Sequence, residues 1–376
     1  MDPNGKLSLK RRVQRRIRRH RAGSPLWYLA AAAVLIGVCV LLKFFPIDSK
    51  AVSYDGIAGS GSFTATFTGN INCVGDGKTI DTEGYAKYFD GVRELLGKSD
   101  YLSVAINDPI LDDHVETYES GMSIKFTDKY FNTDFAPALL QLGVTDAALC
   151  NKTIFRYGSK GALESTRTLE LSDINVAGLR TSNNNDAAVY SKYFDGERTI
   201  IHVDIEASDD RSRDYGSYDI RTYNDQDDNI IRDITTLRQQ NPDAFIAVTV
   251  SWAEHYLLKP SNYMKDLCHT IIDCGADTVV GSGIQMVLSA EKYGGKYIFY
   301  GLGNLVANEA YTMTQRGAVL NCVFDANGKV TYELVPLSVK NGHPKLSGSK
   351  LVLHTLVSDI GNDAEYSIQN GTLILN

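Results

Sequence analysis

The stretch SWAEHYLLKPSNYMKDLCHTIIDCGADTVVGSGIQMVLSAEKYGGKYIFYGLGNLV, residues 251–306, decides the fold class. Residues 261–274 have helical periodicity and run out at Gly275, a residue suited to a helix C-terminus. Residues 278–280 and 297–300 are short apolar runs of the kind buried strands use, as are residues 245–250 just upstream. Small and polar residues follow each run, at 251–255, 281–285 and 301–304. Strands alternating with a helix predict an α/β domain, with any chemistry carried on the loops that leave the strand ends.

Working outward, residues 63–68, 101–106, 144–149 and 199–205 read as further strands, and 84–96, 134–142 and 229–240 as helices. Asn327-Gly328 between two alternating runs signals a hairpin, so part of the sheet is expected to be antiparallel. Residues 46–62, rich in Gly, Ser and Ala, read as a linker. These boundaries give a main domain over 63–340 and a small peripheral extension over 341–376, with acidic, Asn-rich loops at 181–186 and 207–228.

Charge is divided along the chain. Its 376 residues carry a formal net charge of −7, with 43% hydrophobic and 22% charged residues, a balance that excludes a disordered or disulfide-stapled protein. Residues 1–21 hold nine Lys/Arg and one acid, whereas residues 44–376 hold 28 basic and 44 acidic side chains, a net −16. Between them, residues 25–42 (PLWYLAAAAVLIGVCVLL) carry no charge, and Phe44 and Phe45 extend the apolar stretch past Lys43. About 20 helical residues span the ~30 Å hydrocarbon core, so residues 25–45 are expected to form one transmembrane helix. The following KFFPIDSK lacks the small-residue pattern of a cleavage site, which favours an uncleaved signal anchor over a removed leader. The basic residues 1–24 then stay in the cytoplasm, and the domain lies outside the cell membrane. That tail lacks interleaved aromatics, so it reads as a topology signal and anionic-lipid contact; no nucleic-acid partner is expected. Five cysteines lie beyond this helix, an odd number without a disulfide pattern, and are expected as buried thiols.

The loops after the strands are Gly69-Asn70-Ile71-Asn72, Asn107-Asp108-Pro109, Cys150-Asn151-Lys152, Ser251-Trp252-Ala253-Glu254-His255, and those at 281–285 and 301–304. They are rich in amides and hydroxyls and poor in imidazoles and carboxylates; of seven histidines only His255 falls in them. A hydrolytic metal site needs several His or carboxylate ligands. No nucleophile elbow, phosphate loop or Cys-His pairing is present.

Taken in this order, the loops resemble those of the CapA/PgsA family, membrane-anchored proteins of capsule and poly-γ-glutamate synthesis. Trp252, Tyr256, Pro260, Gly275, Ala276, Asp277, Gly281, Tyr293, Gly303 and Asn304 stand where the family has the same residues. FTATFTGNI, SDYLSVAINDPI and LLQLGVTDAALCNKTIFRYGSKG are similar to its earlier motifs. The resemblance implies a calcineurin-like metallophosphatase-type domain, four layers in the order αββα, with a divalent metal. Carried over position by position, nearly every implied ligand is changed. The aspartate of Gly-Asp is Asn70, and the glutamate before the proline is Asn107. The histidine of Asn-Asn-His is Lys152, beside Asn151, and the aspartate of Asp-Tyr-Gly falls at Arg156 across a one-residue insertion. The histidine of His-Trp-Gly is Ser251, before Trp252, and two later histidines fall at Gly283 and Gln285. A lysine charge facing a dication at ~4 Å and an effective dielectric of ~20 costs roughly 8 kcal/mol, so no metal cofactor is expected.

The resemblance therefore implies a non-catalytic accessory subunit that works beside a membrane polymer synthase with ligase-like and small multi-span subunits. Its vestigial pocket is expected to comprise Asn70, Asn107, Asn151, Lys152, Arg156, Ser251, Trp252, Gln285 and Asn304. Two other readings stand beside it. One is an active envelope hydrolase or transferase with a rebuilt site, for which Glu254, His255 and Asp108 are the candidate acids and bases. The other is a module that binds an anionic envelope polymer through Lys152 and Arg156, against the long-range repulsion of a −16 body.

Overall fold

The computed structural model describes residues 29–37, 52, 54, 56, 62–75, 80–112, 129–181, 190–207, 218–220, 222–223, 229–253, 256–361 and 364–376. The chain divides into two compact units, Met1–Ser49 and Lys50–Asn376. In the first, residues 29–37 are helical and largely exposed. The remainder of the expected membrane helix at 25–45 lies outside the described residues, and no described helix is long and apolar enough to cross a membrane.

In the second unit, β1 (Phe63–Ile71) leads to α1 (Thr82–Tyr88), α2 (Arg93–Leu96), β2 (Tyr101–Ile106) and the short pair β3 (Ile110–Leu111) and β4 (Phe131–Asn132). Then come α3 (Phe135–Leu142), β5 (Asp146–Ala148), a 3₁₀ turn (Lys152–Phe155), α4 (Gly158–Glu170), β6 (Asn175–Ala177), β7 (Leu179–Thr181), β8 (Tyr190–Phe194) and β9 (Thr199–Ala207). β10 (Tyr218–Ile220) and β11 (Thr222–Tyr223) precede α5 (Asn229–Gln240), β12 (Phe245–Trp252), α6 (Asn262–Asp273), β13 (Thr278–Ser282), β14 (Ala290–Tyr293) and β15 (Lys296–Phe299). Last are β16 (Asn304–Val306), β17 (Arg316–Phe324), β18 (Val330–Lys340), β19 (His343–Leu346), α7 (Lys350–Val357), β20 (Tyr366–Gln369) and β21 (Thr372–Leu375).

Among the described residues, one mixed sheet has ten strands in the order β20-β21-β18-β17-β1-β2-β5-β6, with β16 beside β1 and β19 beside β18. A second has seven, β11-β9-β12-β13-β15-β14, with β8 beside β9. β1, β2, β5 and β6 run parallel, as do β9, β12, β13 and β15, so each sheet gathers its strand ends along one edge. Period-2 alternation then sorts side chains into layers. Phe67, Tyr101, Ala247, Val280, Leu320 and Leu334 fill the space between the sheets. Leu102 and Val104 turn the other way, under Tyr85, Leu139 and Leu169 of the helices on the ten-stranded sheet. Ile201 and Val203 likewise meet Ile230, Met264 and Cys268 of α5 and α6 on the seven-stranded sheet. The result is a mixed α/β fold.

Several local expectations change. The helix expected over 84–96 is broken into α1 and α2, because the backbone at Gly91 passes so close to β19 that an added Cβ would lie 2.3 Å from the Pro344 carbonyl oxygen. α4 was not expected; its buried face is Gly161, Ala162, Ser165, Thr166 and Leu169, small and polar side chains that give no apolar stripe. Residues 341–376 are not peripheral: β21 is paired with β18, and Leu353, Leu356, Leu373 and Leu375 enter the inter-sheet core. A few apolar residues suffice there because each buried leucine is worth about 1.5–3 kcal/mol. Tyr54, within the expected linker, is docked, with hydrogen bonds to Glu333 and Asn321. The cysteines expected as thiols are free, and Cys73, Cys150, Cys268 and Cys322 are buried.

Candidate functional site

The carboxyl ends of β1, β2, β12 and β13 and the first residue of β16 converge on a cluster of asparagines. Asn70 and Asn304 are register partners on parallel strands, and both are fully buried. The Asn70 Oδ1 accepts from the Gly283 N–H at 2.8 Å. Its Nδ2 donates to the Ile284 carbonyl at 2.9 Å and to Asn304 Oδ1 at 3.3 Å. Asn72 Nδ2 donates to the same Asn304 oxygen at 3.3 Å, and Asn107 Nδ2 donates to Asn72 Oδ1 at 3.1 Å. Asn304 Nδ2 donates onward to the Thr314 carbonyl at 2.8 Å. These four side-chain amides thus form one connected network.

The other expected pocket residues sit around it. Gly283 has φ +77°, and a Cβ there would lie 2.8 Å from Ser251 Oγ and 2.6 Å from the Trp252 carbonyl oxygen, so only glycine brings this turn against β12. Ser251 is buried, and Trp252 is held by its Nε1–H to the Tyr300 carbonyl at 2.8 Å. Asn151 caps the 3₁₀ turn, accepting from the Thr153 and Ile154 N–H groups, and donates to the carbonyl of Ile106 next to Asn107. Lys152 begins that turn and is half-buried. Gln285 Oε1 is buried with no hydrogen-bond partner among the described residues, so the site keeps a neutral acceptor.

Arg156 departs from expectation. It ion-pairs with Asp108 at 3.0 Å and donates to the Lys129 carbonyl at 2.6 Å, so its charge is spent outside the amide network. Asp108 is correspondingly engaged: it also accepts from the Cys73 N–H at 2.8 Å. Burial pushes its carboxyl above the ordinary range, against the pull of Arg156. Glu254 and His255 lie outside the described residues.

The donor set does not fit a divalent cation. The oxygens of Asn70, Asn72, Asn151 and Asn304 are neutral and already accept hydrogen bonds. The described residues contain no group of three or more His, Cys, Asp or Glu placed to hold a metal ion. Dehydrating such an ion requires anionic or imidazole donors.

Beneath the site runs a polar seam that sequence reasoning missed. His202, Asp204 and Glu206 alternate along β9 and point into the space between the sheets, each essentially buried. His202 Nδ1 lies 2.6 Å from Asp146 Oδ1 on β5, and Nε2 lies 2.7 Å from Thr249 Oγ1 on β12. Ser103 Oγ donates to Asp146 at 3.0 Å, and the Cys150 N–H donates to Asp204 at 2.6 Å. Burial pushes Asp204 up to about 7, opposed by His202 and the Cys150 N–H and helped by Asp146 and Glu206. Burial works against the His202 charge, but Asp146 and Asp204 outweigh it and raise its pKa.

This seam predicts a pH dependence. Asp204 holds a proton in the folded state where the unfolded carboxyl has lost it, so it lends stability on the acid side that is lost as pH rises through about 7. His202 acts in the same sense: its contribution is full below the ordinary imidazole value and fades as pH rises through its raised folded value. The stability of the folded chain is expected to be about 1–2 kcal/mol greater at pH 6 than at pH 8 from Asp204 alone. Denaturant titrations at the two pH values check this, and Asp204→Asn is expected to flatten the slope.

Comparison with known proteins places this site in context. The model of the family described as bacterial capsule synthesis protein PGA_cap matches residues 64–309, which include the amide network. The capsule biosynthesis protein CapA of Bacillus anthracis is 24% identical over 381 residues, covering 98% of this chain and 90% of that protein. The PGA biosynthesis protein CapA of Bacillus subtilis (strain 168) is 26% identical over 131 residues, 34% of each chain. Among solved structures, that of TT1561 of Thermus thermophilus covers 68% of this chain and 94% of its own, at 8% identity and a TM-score of 0.39.

Proposed function

The chain belongs to the bacterial capsule synthesis protein PGA_cap family, and from that premise we propose that it is a non-catalytic accessory subunit of capsule or poly-γ-glutamate synthesis. In this reading, residues 25–45 anchor it in the cell membrane with residues 1–24 in the cytoplasm. The sandwich, of the metallophosphatase type, stands outside beside ligase-like and small multi-span synthase subunits. It uses no metal cofactor and binds no nucleic acid.

The observation that carries the reading is the amide network. Where the family resemblance implies ligands, Asn70 is fully occupied by the Gly283 N–H and the Ile284 carbonyl. A metal-bound hydroxide is the chemistry such a site would supply, and neutral amides cannot generate it. Asp108 is bound to Arg156 and the Cys73 N–H, which leaves it poorly placed as a free acid or base.

Purification of the full chain from its host's membranes in mild detergent tests this role. Ligase-like and multi-span subunits are expected to come with it, and the preparation is expected to hydrolyse neither phosphate esters nor the polymer. Turnover that disappears in Asp108→Asn would replace the accessory role with a catalytic one.

A further inference from the structure

We propose that the groove between the end of α1 and the β18–β19 hairpin is a docking site for a linear, carboxylate-rich chain; this deepens the accessory reading and rests on it. The groove is a cavity of about 490 Å³ lined by Lys87, Asp90, Ser338, Lys340, His343 and Lys345, among others.

Its geometry follows from the hairpin. Asn341 and Gly342 take φ of +52° and +83°, the left-handed pair of a two-residue turn that matches strand twist. Lys340 faces His343 in register and Ser338 faces Lys345, so these four side chains share one face of the hairpin. Val339 and Pro344 alternate to the opposite face and are buried. Lys87, in the last turn of α1, supplies the other wall. The His343 ring packs on Tyr88 at 5.1 Å.

Its electrostatics select the occupant. Lys87, Lys340 and Lys345 are exposed and form no ion pair among the described residues. Asp90, the acid in the groove, is paired with Arg93 at 3.1 Å. Three uncompensated ammonium groups therefore sit on a body whose net charge is −16. Taken as a whole that body repels a polyanion at long range, so one would be held where the local sign is reversed. Lysine ammonium groups act as separated point charges and lack the bidentate fork that suits a single phosphate. An open groove with spaced point charges fits repeated carboxylates along a chain. The groove also adjoins the amide site: the Gly342 N–H donates to the Ala307 carbonyl at 3.1 Å, three residues beyond Asn304.

The test measures binding of fluorescent poly-glutamate to the full chain in detergent. Lys87→Glu/Lys340→Glu/Lys345→Glu is expected to weaken binding at least about 100-fold at low salt, and wild-type affinity is expected to fall steeply with added salt. A control with the same change in net charge, Lys160→Glu/Lys329→Glu/Lys350→Glu, alters exposed lysines elsewhere and is expected to bind nearly as wild type. Equal loss in both variants, no loss in the first, or equal binding of neutral dextran would overturn the proposal. Neither variant touches the amide network, so failure here would leave metal content and turnover, the readouts of the accessory role, unchanged.

Discussion

Replacing Asp146 with alanine is expected to cost about 3–5 kcal/mol of folding stability, the usual result of removing one partner from a buried ion pair. The carboxylate is fully buried and straps the sheets together, since Asp146 lies on β5 and His202, 2.6 Å away, on β9. Truncation leaves an imidazole in the core with Thr249 on one nitrogen and its carboxylate partner gone from the other, and it takes the acceptor from the Ser103 hydroxyl. The exposed Arg93–Asp90 pair makes a contrast, because such pairs contribute about 0–1 kcal/mol. Replacing both buried partners with apolar residues, as in Asp146→Leu/His202→Phe, should recover much of the loss, because Phe67 already packs edge-on to the His202 ring at 5.5 Å. Urea unfolding of the single and double variants measures both effects. A loss below about 1 kcal/mol in Asp146→Ala would mean that the pair is not the strap described.

The second large effect is expected from putting back the family's carboxylate. Asn70→Asp changes one atom, yet it turns a donor aimed at the Ile284 carbonyl, 2.9 Å away, into an oxygen facing an oxygen. It also places a charge at a fully buried position whose second neighbour is the Asn304 side-chain oxygen. A loss of about 3 kcal/mol or more is expected at neutral pH. Acid should relieve part of it, since a protonated carboxyl can again donate. Thermal unfolding at pH 7.5 and pH 5 checks the magnitude and the sign. Rescue of Asn70→Asp by added Mn²⁺ would show that the surrounding donors can still hold a metal.

What was legible in the sequence follows local rules. The α6 helix announced itself through Ser261, whose hydroxyl accepts from the Met264 N–H, and through Gly275 at φ +113°. The hairpin at Asn327-Gly328 is closed by the Asp325 carboxylate, which accepts from the Asn327 and Lys329 N–H groups. The changed ligand positions were legible through motif order, and several of them meet around Asn70 and Asn304. Arg156 did not follow, because its partner Asp108 comes from another strand end.

The rest depended on tertiary structure. Asp90-Gly91 is only a weak local break within a helical pattern; the close passage of β19 over Gly91 makes it decisive. Along β9, Ile201, Val203 and Ile205 alternate with His202, Asp204 and Glu206, the pattern of a strand with one solvated face. Here the polar face is turned onto a second sheet instead. No periodicity distinguishes water from another sheet's polar groups, so the buried seam could not be read in advance. Asn72 was overlooked for a simpler reason: it matched no family ligand, though it sits two residues from Asn70 and joins the same network.

The site is knitted shut by its own amides and lacks the donors a cation needs, and on this the accessory role turns. Elemental analysis combined with native mass spectrometry of the full chain, purified with Mn, Fe and Zn supplied, tests it most directly. Metal far below one ion per chain is the predicted result; stoichiometric metal that is lost on Asn70→Ala or Asn304→Ala would contradict it.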